Sequence, residues 1–163
     1  MENLHPDVLL HHDDCGSKTT LFMKADTWRE FFKDRYRKFF GYFRENGIII
    51  MHHADSFCEP IVQDMIDIGI DIWQGVLPTN NISALQREFG GKIVFMGEID
   101  SVIDVKDYSE SRIREEVQRA CREYAPGGSF IPSITYGAQG SIFPGVDDIV
   151  MDEIRKQSTV YFK

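Results

Sequence analysis

An apolar run that stops abruptly in two histidines constrains this chain more than any other feature. Between Gly47 and Gln74 the sequence reads GIIIMHHADSFCEPIVQDMIDIGIDIWQ. The run Ile48-Ile49-Ile50-Met51 ends in His52-His53-Ala54-Asp55; a helical pattern follows, stops at Gly69, and gives way to a second run ending in Trp73-Gln74. Four to eight apolar residues bounded by turn signals are the mark of a strand buried on both faces. Titratable groups crowd the C-terminal end of the first run, where open α/β sheets and (β/α) barrels carry their chemistry.

The same unit repeats along the chain. Strands are predicted at Val8–His12, Ile48–His52, Ile70–Gln74, Lys92–Gly97 and Ser129–Ile134. A helix over 25–46 places Trp28, Phe31, Phe32, Tyr36, Phe39, Phe40 and Phe43 at spacings of three and four, one helical face, with Trp28, Phe31, Phe32, Phe39 and Phe43 expected to form much of its buried side, and Gly47 suits its left-handed stop. Pro60 fits the first turn of the next helix, and Asn81 can cap a short one over Ile82–Phe89. Ser109 or Ser111 can cap a helix carrying Ile113, Val117, Ala120, Cys121 and Tyr124, and a terminal helix runs from about Val146 to Ser158. Strand–helix alternation with short connections implies an α/β fold of parallel strands joined by right-handed crossovers.

Composition bounds the function. At 163 residues the chain fits a single domain, 1–163, with a sizeable core. A net charge of −8 disfavours a nucleic-acid surface. No run approaches the roughly 18 apolar residues of a membrane span, and no secretory signal opens the chain. Three cysteines, Cys15, Cys58 and Cys121, are an odd number without CxxC spacing, so a reducing cytoplasm is expected.

The residues that follow the predicted strands form a rim: His11, His12, Asp13 and Asp14; His52, His53 and Asp55; Gln74; Glu98 and Asp100; Thr135 and Tyr136. Four of the five histidines sit at two of these ends. A single strand-end His or Asp can equally cap a helix or satisfy loop backbone; the concentration of them points to a site.

Three segments, HHDDCGSKTTLFM at 11–23, GIIIMHHADSFCEPIVQDMIDIGIDIWQ at 47–74 and FGGKIVFMGEID at 89–100, resemble the C-terminal portion of the uroporphyrinogen decarboxylase superfamily, which includes the cobamide-dependent methyltransferases. The resemblance implies a partial (β/α)8 TIM barrel of about the last five βα units, with the site at its C-terminal mouth. It implies catalytic roles for His52, Asp14 and Glu98, and substrate contacts from His12, Asp13, His53, Asp55, Gln74, Asp100 and Tyr136. Methyltransferases of this family bind a thiol-activating zinc through a His-x-Cys and a later Cys. His52 falls on the family's His, whereas Ala54 and the Tyr136-Gly137 region carry no sulfur, so the implied zinc set is incomplete. The decarboxylases carry a His near the last strand, and this chain has none there.

Three readings follow. The first is a methyltransferase-like protein moving a methyl group from a small methylated compound, beside a corrinoid held on a partner protein. The second is porphyrinogen decarboxylation, whose carboxylate-rich substrate wants rim cations where only Lys18 is near. The third is an inactive half-barrel or interaction module. An unclosed parallel sheet exposes backbone edges at Val8–His12 and Ser129–Ile134, so self-association is expected; the resemblance implies either part of a longer protein or a shortened member of the family.

Overall fold

The computed structural model describes residues 4–135 and 142–161. Five parallel strands form one sheet: β1 (Val8–His12), β2 (Ile49–His53), β3 (Ile72–Val76), β4 (Val94–Ile99) and β5 (Phe130–Ile134). Their order in space is their order in sequence, and each pair is parallel. Right-handed crossovers that always step the same way place every helix on one face. A doubly wound sheet would reverse its strand order and cover both faces. The five units are therefore a segment of a (β/α)8 barrel, as expected, with strands β2 to β5 starting one or two residues later than the apolar runs suggest.

The helices are α1 (Ala25–Trp28), α2 (Asp34–Arg44), α3 (Val62–Asp67), α4 (Ile82–Phe89), α5 (Glu110–Tyr124) and α6 (Val146–Tyr161). Asn81 caps α4, its side chain accepting from the Ala84 N–H at 3.2 Å. Among the described residues no helix is long and apolar enough to cross a membrane.

The helix expected over 25–46 is interrupted by a π turn at Arg29–Lys33. Such a turn holds one extra residue, so the helix face rotates by about 100° across it. Trp28 and Phe40 are buried, and Phe32, Tyr36 and Phe43 half-buried, but Phe31 and Phe39 are 52% and 43% exposed. The expectation that Phe31 and Phe39 belong to the buried face is thus corrected by the phase shift.

Side chains alternate between the sheet's two faces. His11, His52, Trp73, Phe95 and Phe130 are in register across the sheet and face the helices, where the core lies. The next row, His12, His53, Gln74, Met96 and Ile131, faces the inner side of the barrel. That inner side is open: Leu10 is 60% exposed, Ile49 44% and Ile131 38%.

Candidate functional site at the C-terminal rim

The inner row gathers a compact polar cluster where β1 and β2 end. His12 and His53 are cross-strand neighbours, their ring centroids 4.2 Å apart. His12 Nε2 lies 3.7 Å from Asp14 Oδ2. Asp14 Oδ1 accepts the Asp55 N–H at 3.0 Å, which ties the loop after β1 to the loop after β2. His53 Nδ1–H donates to Gln74 Oε1 on β3, and this bond leaves His53 Nε2 free. Gly75 holds φ at +91°, and a Cβ there would stand 3.1 Å from the His53 ring, so glycine is what lets the imidazole lie against the β3 backbone. The Asp55 carboxyl is pushed above the ordinary carboxylate range, by burial first and by the Asp14 charge second, while His53 and Lys18 pull it back.

Beside this cluster the ends of β3, β4 and β5 enclose a cleft of about 180 Å³, whose lining includes Lys18, Val76, Leu77, Ile99, Asp100 and Thr135. Asp100 also caps the turn Ser101–Ile103, accepting from the Val102 N–H at 3.0 Å, and its own N–H donates to Glu116 Oε1 at 2.9 Å.

The expected residues do not all meet. Of them, His12, Asp14, His53, Asp55 and Gln74 share the inner cluster, and Asp100 lies across the rim in the cleft. Asp13 is exposed and accepts from the Tyr36 hydroxyl. Tyr136 lies outside the described residues.

His52 departs from its expected position at the mouth near Asp14 and Glu98. It points into the helix layer, its ring 5.3 Å from His11, 6.1 Å from Phe40 and 6.2 Å from Tyr36. Its Nε2–H donates to the Asp13 carbonyl at 3.1 Å, which leaves Nδ1 to accept from His11 Nδ1–H at 3.3 Å. Both ring nitrogens are therefore engaged. The reason is strand parity: adjacent residues face opposite sides, so His52 and His53 cannot both look inward.

Glu98 also turns away from the mouth. Its backbone holds φ at +69°, and its carboxyl is buried with neither oxygen in full hydrogen-bond geometry to a partner among the described residues. Its ionisable neighbours, Arg119, Glu116, Glu123 and Tyr124, belong to α5 on the helix side. Burial, partly offset by Tyr124 and Arg119, pushes the carboxyl up to about 7.

Two features lay beyond sequence reasoning. Cys15 and Cys58, 43 positions apart in sequence numbering (58 − 15), are brought together as buried free thiols. The interaction between the two thiols pushes Cys15 up, with burial adding to the rise, and holds Cys58 below its ordinary value. Gly75 is the second, because nothing in its neighbours distinguishes it from an ordinary turn glycine.

Parallel βα units in sequential order define a partial (β/α)8 barrel, and the titratable side chains on the inner face at the strands' C-terminal ends make a candidate rim site. The chain belongs to the uroporphyrinogen decarboxylase (URO-D) family, whose model matches residues 7–155. Among solved structures it is similar to a methyltransferase from Methanosarcina mazei, with a TM-score of 0.67 and 19% identity over 96% of this chain. The chain spans 43% of the length of that methyltransferase. At that identity the likeness shows the fold. No curated protein matches the chain.

The thiolate zinc set implied by the family does not fit these residues. His52 has both nitrogens engaged on the helix side, and the buried Ala54 stands where a sulfur ligand would be required.

Proposed function

We propose that this chain contributes the C-terminal half of a methyltransferase-like barrel that takes a methyl group from a small methylated compound and passes it to a corrinoid on a partner protein. The observation that carries the reading is the inner cluster of His12, Asp14, His53 and Asp55 beside a small, largely aliphatic rim cleft with one lysine. A cleft of about 180 Å³ suits a compact substrate. A porphyrinogen, with its many carboxylates, calls for a set of cations, and among the described residues Lys18 is the one cation in the lining.

When bound, a reduced corrinoid supplies the nucleophile that accepts the methyl group. This chain's own task is then to hold the methyl donor and put a proton on the leaving heteroatom. Asp55 suits that task, because burial and the Asp14 charge make its carboxyl hold a proton more tightly than a free aspartate does. The open inner face, with Leu10, Ile49 and Ile131 exposed, fits a half-barrel whose complement comes from a further segment or a second copy.

The test is methyl transfer to free reduced cobalamin, followed by its visible spectrum, across methylthiols, methylamines and methoxyarenes. Turnover of at least one donor, slowed in Asp55→Asn, is expected. No turnover of any donor, with release of carbon dioxide from a porphyrinogen instead, overturns the reading.

A further inference from the structure

We infer that His12, Asp14 and His53 form a binding site for a borderline divalent transition-metal cation of the zinc, cobalt and ferrous class, distinct from the family's thiolate set. Two imidazole nitrogens and one carboxylate oxygen lie within 4.8 Å of one another. That donor set, two histidines and one carboxylate, is a recurrent ligand combination for such cations and leaves coordination positions open.

The surrounding bonds leave the ligand atoms, rather than their alternatives, available. Asp14 has one oxygen fixed by the Asp55 N–H at 3.0 Å, which leaves Oδ2 turned to His12. His53 has Nδ1 fixed by the Gln74 carbonyl oxygen, which leaves Nε2 free. A ring nitrogen oriented by an acceptor on its opposite side is how metal-binding histidines are prepared. His12 Nε2 stands 3.7 Å from Asp14 Oδ2, beyond hydrogen-bond length but suitable for two ligands flanking one ion.

The donor set also separates this site from its neighbour. Cys15, Cys58 and His52 lie on the helix side and are buried, and His52 spends both nitrogens on protein groups. In the inner trio the His12 side chain is 66% exposed, so an ion there meets solvent or substrate directly. An open position of that kind belongs to a catalytic rather than a structural site.

The experiment uses the chain stripped with a chelator and titrated with cobalt(II), read by calorimetry and by visible absorption. It requires no methyl transfer, so it succeeds or fails independently of that reading. One cobalt per chain is expected, with a spectrum lacking thiolate-to-metal charge transfer. Binding should be lost in His53→Ala and in Asp14→Asn, weakened about 10–100-fold in Gln74→Ala, and kept in His52→Ala and Cys15→Ser. Far-UV circular dichroism monitors folding; if His53→Ala fails to fold, Asp14→Asn and Gln74→Ala decide. Absence of binding in the unaltered chain overturns the inference. So does binding that survives Asp14→Asn, or that disappears in Cys15→Ser with a thiolate band in the parent.

Discussion

Replacing Glu98 with glutamine should make the protein more stable at alkaline pH and leave it unchanged in mild acid. Glu98 is 1% exposed, its carboxyl is without a full hydrogen bond among the described residues, and the group is pushed up to about 7 from an ordinary 4.5. Between those two values the folded protein holds a proton that the unfolded chain has released. Stability therefore falls as pH rises through this window and levels off above it, because the native state binds more protons than the unfolded one. A gap of about 2.5 units at 1.36 kcal/mol each makes the loss about 3 kcal/mol. Glutamine has the same shape and no charge, so Glu98→Gln should match the parent at about pH 4 and exceed it by up to about 3 kcal/mol at about pH 8. Asp55, also raised, contributes a slope of the same sign, but it is present in both proteins and cancels in the difference. The assay is urea unfolding at a series of pH values, comparing midpoints at equal m-value. Parallel pH curves for the two proteins would refute the reasoning, since they would mean that Glu98 titrates alike in the folded and unfolded chains.

Two further outcomes follow from packing. Phe40 is fully buried, stacked on Tyr36 at 5.5 Å and edge-on to His11 at 5.3 Å, so Phe40→Ala should cost about 3–5 kcal/mol in urea unfolding; Phe39→Ala, at a ring 43% exposed, should cost clearly less, and equal costs would contradict the π-turn phase. The open inner face and the edges of β1 and β5, which no further strand covers among the described residues, predict self-association, visible by light scattering as a mass above that of one chain; Leu10→Lys should shift that mass toward the monomer, and a monomeric parent at every concentration would count against it.

Much of the fold was legible because each unit carries redundant signals. Gly47 and the apolar run after it both mark the passage from α2 to β2, Gly69 marks that from α3 to β3, and the two glycines adopt φ of +76° and +93°. The aromatic face of the first helix was legible only up to its phase. Nothing in Arg29–Lys33 announces a π turn, and packing rather than local propensity sets it. The Cys15–Cys58 contact depends on how two loops fold over the rim, which spacing cannot supply.

The site was legible as a set of candidates and illegible as a geometry, and the histidine pairs show why. At the ends of both β1 and β2 two histidines are adjacent, His11-His12 and His52-His53. A strand must send one of each pair to each face. Periodicity finds the pair, but a run buried on both faces carries no polar alternation to say which member looks inward. Here the β1–β2 register settles it for both strands at once: His11 pairs with His52 and His12 with His53, so each face receives two imidazoles. The helix-side pair spends its nitrogens on each other and on the Asp13 carbonyl. The inner pair keeps a free Nε2 on His53 and an exposed His12 against Asp14. The open donor atoms therefore sit on His12 and His53, and His53 is one residue on from the His52 at which the sequence resemblance aims.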